Sequence, residues 1–180
     1  MLKETAVHIP TDWSQDGRYL IYSRGTSPGD SEIRAMPLEG ERKSWQVLPH
    51  GSAPRISPDG RWLTYTSLES GVPEVYVVPF SGGQGKWQVS ANGGQYSQWS
   101  EDGKELYYFD QSNNLSVMRV KEVDGALQFG AAQTIVTNWA SPNILYDVSP
   151  DGKKILLDQV LQQVSQSVTV ITNFAAGLKK

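Results

Sequence analysis

Apolar and polar positions alternate in this chain in short runs, and the runs recur. Residues 19–23, 62–66, 105–109 and 154–158 align so that Leu20, Leu63, Leu106 and Ile155 form one apolar column. Tyr22, Tyr65, Tyr108 and Leu157 form a second, two residues on. Period-two alternation rich in aromatic and β-branched residues predicts strands. Each run follows one phrase: an apolar residue, Ser, any residue, then Asp-Gly. The copies are Trp13-Ser14-Gln15-Asp16-Gly17, Ile56-Ser57-Pro58-Asp59-Gly60, Trp99-Ser100-Glu101-Asp102-Gly103 and Val148-Ser149-Pro150-Asp151-Gly152, with serines 43, 43 and 49 residues apart. Asp-Gly between two strand-like runs is a hairpin signal, because Gly tolerates the positive φ of a tight turn. A period in the forties with this composition predicts β-propeller blades. The fold class is therefore all-β: four repeats of four-stranded antiparallel sheets, as a four-bladed ring or a partial arc of a larger propeller.

The remaining strands follow from the same register. Third strands are predicted over residues 33–37, 75–79, 115–119 and 168–172, with Pro37 and Pro79 near strand ends where a missing N–H is tolerated. Outer strands are predicted over 45–48, 87–90 and, after an insertion around 122–132, over 133–136. The blades then span about 10–48, 53–90, 96–136 and 145–174 of one domain covering residues 1–180. Copy four has no outer strand in this register. Residues 1–9 are expected to supply an outer strand, either closing copy four into a ring or belonging to an adjacent blade. The weak strand character of residues 3–9 favours the second, and open blade edges would then promote self-association.

Composition removes several function classes. The net charge is −3 and the sixteen Lys and Arg form no basic stripe, which argues against nucleic acid as a partner. With no cysteine there is neither a disulfide nor a thiolate metal site. No apolar run approaches the roughly 20 residues of a membrane helix, so this chain is not expected to insert. Its first ten residues lack the apolar region of a signal peptide. The compartment stays open: extracytoplasmic if joined to a membrane anchor, cytoplasmic if made as it stands.

Candidate chemistry is sparse. Asp16, Asp59, Asp102 and Asp151, with the repeat serines, read as turn chemistry, since Asp and Ser side chains bond nearby backbone N–H groups. Gly25-Thr26-Ser27-Pro28-Gly29 matches G-x-S-x-G, yet a nucleophile elbow needs a strand-to-helix turn with an acid and a His downstream. Only His50 follows, and the slot is a variable loop in the next copy. His8 and His50 occupy near-equivalent places but lack further ligands for zinc, so neither a metal nor a cofactor is expected. Trp13 and Trp99 are predicted to fill the inner apolar slot, and Trp45 and Trp87 matching outer slots, all buried between blades. Trp139, in the irregular segment 137–145, is expected to be a contact residue. Loops joining second to third strands, and outer strands to the next blade, share one face and vary most. Binding usually resides on such loops. The candidate binding residues are Asp12, His50, Arg55, Tyr96, Gln98, Trp139 and Asp147. Among them Asp12, Arg55, Gln98 and Asp147 form a polar column, read either as interblade hydrogen bonding or as a channel-mouth lining.

The repeated Ser-Pro-Asp-Gly followed by Arg61 or Lys153, with its variants ending in Arg18 and Lys104, resembles the TolB-type, WD-like β-propeller repeat. The runs 10–14, 62–80, 85–90, 102–108 and 146–152, and the tail at 170–174 and 177–180, resemble the last blades of propellers fused behind bacterial serine/threonine kinases and related sensors, especially of acidobacteria. That resemblance implies a non-catalytic module for protein or small-molecule ligands, associated with or fused to a kinase or transcriptional regulator. Two enzyme-class alternatives share these repeats: the gating propeller of an oligopeptidase-like serine hydrolase, and a propeller lyase acting on acidic sugars.

Overall fold

The computed structural model describes residues 6–27, 30–139, 146–161 and 165–172. Among them every regular element longer than a turn is a strand. Blade one is the sheet β1 (Val7–Trp13), β2 (Tyr19–Gly25), β3 (Ser31–Pro37) and β4 (Trp45–Leu48), in that order. Blade two follows the same order with β5 (Ser52–Ile56), β6 (Trp62–Ser67), β7 (Glu74–Pro79) and β8 (Trp87–Gln88). Blade three contains β9 (Gln95–Trp99), β10 (Glu105–Phe109), β11 (Leu115–Val123), β12 (Ala126–Phe129) and β13 (Gln133–Val136). Blade four contains β14 (Tyr146–Val148), β15 (Lys154–Leu161) and β16 (Ser165–Thr172). The strand pairings among the described residues are antiparallel, as meandering blades require.

The repeated phrase builds each blade's first hairpin. In every copy the Ser hydroxyl donates to its Asp (Ser14, Ser57, Ser100 and Ser149, at 2.7, 2.5, 2.8 and 2.6 Å). The same oxygen accepts the N–H of Tyr19, Trp62, Glu105 or Lys154, each at 2.9 Å. The Asp in turn accepts the N–H of Arg18, Arg61, Lys104 or Lys153. The Gly adopts φ between 64° and 73° in all four copies, the left-handed conformation that a Cβ penalises. Three hydrogen-bonding groups are thus satisfied at each turn by two side chains.

Two compact units make up the chain, residues 1–97 and 98–180. In the first, Ile21, Ile33 and Ala35 on one face of blade one pack with Ile56, Leu63, Tyr65, Tyr76, Val78 and Phe80 of blade two. In the second, Tyr107, Phe109, Leu115 and Val117 of blade three pack with Ile155 and Leu157 of blade four. Gly51 marks how tightly the first interface closes: at φ 150°, a Cβ there would stand 2.7 Å from the Tyr65 ring and 2.9 Å from Ile33.

Several expectations are corrected. Val7, His8 and Ile9 are the first half of β1, in register with Gly25, Arg24 and Ser23, and so belong to no outer strand of another blade. The reason is local: the repeat's inner strand extends six residues before Trp13, across a bulge between Pro10 and Asp12. Residues 1–5, the other part of that predicted strand, lie outside the described residues. The insertion of blade three is ordered structure: β11 continues outward, turns at Asp124-Gly125 and returns as β12, before β13 pairs with the start of β11. In copy four the second and third strands run longer than predicted, since β15 and β16 pair up to Leu161 opposite Ser165. Of the resembling tail, 173–180 lies outside the described residues.

Candidate functional site

The polar column makes hydrogen bonds from blade to blade. Asp12 Oδ2 accepts the Ile56 N–H at 2.7 Å and Oδ1 accepts the N–H of Trp13 at 2.9 Å. Arg55, facing Asp12 at 3.8 Å, donates to the Thr11 carbonyl. β1 is thereby tied to β5. Burial pushes the Asp12 carboxyl above its ordinary value, against the lowering effects of the Ile56 N–H, the Arg55 charge and the Trp13 N–H. The second unit repeats the device: Gln98 donates to Asp147 Oδ1 at 2.6 Å, and Asp147 also accepts the Val148 N–H at 2.9 Å. The interblade hydrogen bonds expected of this column are present.

Trp139 is corrected. It is 7% exposed and belongs to the core of the second unit with Phe109, Leu115 and Leu157. Its backbone N–H donates to the Asn113 carbonyl at 2.8 Å, while its indole N–H is buried without a hydrogen-bond partner. Its neighbours 140–145 lie outside the described residues. The other tryptophans divide. Trp99 and Trp62 are buried, and Trp62 packs edge-on against Trp87 at 5.4 Å. Trp45 leans on Tyr19 and Phe80 yet keeps an exposed edge, and Trp13 is exposed. Trp13 and Trp45 therefore depart from the predicted burial.

What remains exposed and chemically distinctive gathers at one end of blade two. There the connections β4–β5, β6–β7 and β8–β9 emerge, opposite to the Asp-Gly turns. His50 is exposed on the first, Leu68 and Val72 on the second, and Tyr96, 42% exposed, follows the third. Tyr96 has φ 54° and Ala53, four residues before its own repeat serine as Tyr96 is, has φ 47°. In β5 this left-handed residue lies within the bulge between Ser52 and Arg55, and Tyr96 holds the equivalent place in β9. The loops are pinned. Gly94 N–H donates to the Pro73 carbonyl at 2.7 Å, and Gly51 N–H to that of Ser31 at 2.8 Å. Beneath them the buried Glu74 accepts the Ser90 hydroxyl and, at 2.9 Å, the Gly93 N–H.

Beside this end lies a group that the sequence did not single out. Lys86 pairs with Glu69 of the β6–β7 loop and sits 4.3 Å from the centre of the Tyr76 ring. The Lys86 hydrogen bond holds the Glu69 carboxyl below its ordinary value, while burial raises the Tyr65 and Tyr76 hydroxyls. Lys86 and Glu69 are seventeen residues apart on different strands' connections, so only the folded blade brings them together. Glu74 was equally hidden, because one carboxylate at a strand start carries no pattern. Among the described residues no three of His, Cys, Asp and Glu group to hold a metal ion.

No family model matches the sequence. Over 106 residues the chain is 34% identical to tricorn protease homolog 1 of Streptomyces coelicolor, covering 53% of this chain and 10% of that protein. Over 60 residues it is 42% identical to a second tricorn protease homolog of the same organism, covering 32% of this chain and 5% of that protein. The chain thus spans a small part of these relatives. Among solved structures, TolB from Acinetobacter baumannii superposes with a TM-score of 0.73 at 19% identity, over 95% of this chain and 42% of that one. Oligogalacturonate lyase in complex with manganese gives 0.65 at 15% identity, over 96% of this chain and 49% of that one. The propeller domain of the trilobed protease from Pyrococcus furiosus gives 0.55 at 16%, over 93% and 54%. At such identities the likeness is one of fold. The fold is that of a TolB-like β-propeller, in part. These neighbours include enzymes as well as TolB.

Proposed function

We propose that the chain is a non-catalytic binding module and that a protein segment docks at the loop end of blade two, on His50, Leu68, Val72 and Tyr96. One observation carries this reading: exposed apolar and aromatic side chains stand there on loops pinned by hydrogen bonds. A pinned loop loses little entropy on binding, and Tyr offers a large contact area at low ordering cost. The kinase-linked sensor is the narrower form of the proposal, carried by the resemblance of the repeats.

A second reading is favoured by the 34% identity to a tricorn protease homolog. In it the blades accompany a protease and hold peptides near it, and the same loop end serves. Both readings are tested with short fluorescein-labelled peptides and the intact chain. Anisotropy is expected to rise on binding, and Tyr96→Ala or Val72→Asp to weaken that binding about tenfold, some 1.4 kcal/mol. Binding indifferent to both substitutions would remove the site. Cleavage of the peptide by the chain itself would remove the non-catalytic reading.

A further inference from the structure

The repeats allow one rung to be compared from blade to blade. Tyr65 and Tyr76 are partners across β6 and β7, with ring centres 5.9 Å apart. The equivalent rungs pair Tyr22 with Arg34, Tyr108 with Ser116 and Leu157 with Thr169. Among the described rungs at this position, only that of blade two sets two aromatic residues side by side. Both are buried. Lys86 Nζ stands 4.3 Å from the centre of the Tyr76 ring and 6.0 Å from that of Tyr65. Blade one has its cation, Arg34, within the rung itself. Blade two brings one in from the connection before β8.

A carboxylate completes the arrangement. Glu69 pairs with Lys86, the Tyr65 hydroxyl bonds to Lys86, and the Tyr76 hydroxyl bonds to Glu69 and Ser70. Aromatic rings and an acid around one ammonium make a cation cage, and the electron-rich ring faces would repel an anion there. Its occupant is weakly held. The Lys86 and Glu69 side chains are 38% and 49% exposed, and so open an ion pair shifts an equilibrium by about fivefold at most. The chain before Lys86 runs through Gly82, Gly83 and Gly85, with φ from 85° to 141°, backbone that gains much conformational freedom on release. Two loops of the proposed docking end border the cage. A Cβ on Gly51, next to His50, would stand 2.7 Å from the Tyr65 ring, and Glu69 directly follows Leu68.

We propose that Tyr65, Tyr76 and Glu69 form a binding site for a primary alkylammonium group, and that Lys86 is its resident occupant, displaced when a docked segment inserts a lysine of its own. The source of the incoming ammonium rests on the docking reading above; the cage does not. Exchanging one ammonium for another preserves the ion pair and the ring contacts, so added contacts at Leu68 and Val72 tip the balance. While Lys86 fills the cage, the apparent affinity for any other ammonium is reduced by the fraction of molecules whose cage stands open. Removing the Lys86 side chain lifts that reduction.

Titration of the intact chain with n-butylammonium chloride, read by saturation-transfer NMR, tests the cage. Lys86→Ala should bind the ammonium at least about tenfold more tightly than the wild type. Lys86→Ser, which copies Ser44 before the outer strand of blade one, serves as the second variant and should behave alike. Adding Glu69→Gln to either variant should abolish the gain, and n-butanol should bind to neither. Equal binding to wild type and variants overturns the proposal. So does binding of n-butanol as tight as that of the ammonium, which would mark an apolar cavity only. A fluorescein-labelled peptide with one central lysine, and the same peptide with norleucine there, test the source of the ammonium. The exchange should weaken binding to the wild type about tenfold and have no effect on Glu69→Gln. No effect on the wild type overturns displacement by a docked lysine. If neither peptide binds, the docking reading falls with that displacement, while the n-butylammonium titration reads the cage alone.

Discussion

At the scale of the residue, the most consequential side chains are the turn serines. Ser57 is buried, gives its hydroxyl proton to Asp59 and accepts the N–H of Trp62. Ser57→Ala leaves that N–H without its acceptor inside the protein, a loss of about 1–3 kcal/mol. Thermal unfolding should register it as a fall of roughly 2–4 °C per kcal/mol for a chain of this size. An unchanged midpoint would show that the turn is held by its backbone alone. Gln15 and Glu101, which replace the prolines of the other copies, leave every one of these bonds in place, so Pro at that position is dispensable for the turn. The Asp-Gly phrase was legible as turn chemistry from spacing alone, because all its partners lie within five residues.

Elements are joined by longer-range ties, and those were only half legible. The column of Asp12, Arg55, Gln98 and Asp147 could be listed from the register, yet its meaning depended on strand bulges. The shifts between Pro10 and Asp12 and between Ser52 and Arg55 turn these side chains toward the neighbouring inner strand. Asp12 serves two backbone N–H groups, Arg55 one carbonyl. Asp12→Ala should therefore destabilise more than Arg55→Ala. A double-mutant cycle in denaturant should return a coupling of about 0.5–1 kcal/mol, modest because the Arg55 side chain is partly solvated. Zero coupling would reduce the pair to two independent contacts. Trp139 escaped the sequence reading for a related reason: it lies outside the repeat, and it is buried by residues of two blades that are distant in sequence.

Across the whole molecule the repeated turns make stability depend on acid in a definite direction. The Ser14 hydroxyl, with the Arg18 amide and guanidinium, lowers the Asp16 carboxyl to about 2. The equivalent groups lower Asp151, and at Asp59 and Asp102 they outweigh the upward push of burial. Glu32 is lowered in the same way by Arg24 and Arg34 against burial. A lowered carboxyl stabilises the fold above its unfolded value and loses that contribution as pH falls through its folded value. Asp12, raised by burial, runs the other way: its contribution is full below its unfolded value and fades as pH rises through the folded one. The lowered groups outnumber it, so denaturant midpoints should drop as pH falls from 4.5 toward about 2. Asp59→Asn should flatten part of that slope. Midpoints independent of pH across the window would contradict the account.

By itself the sequence determined the blade repeat, the inner hairpins and the apolar columns, because those follow from alternation and from contacts a few residues apart. It also located the variable loops on which the proposed site lies. Tertiary structure alone decided which apolar positions are covered. Trp13 and Trp99 hold the same place in the same phrase, and one is exposed while the other is buried. Burial is a property of what stands opposite a face, and a repeat pattern records the face without its neighbour. The same limit hid the pairing of Lys86 with Glu69 and the inward turn of Trp139, both of which join segments that only the folded blade brings within reach.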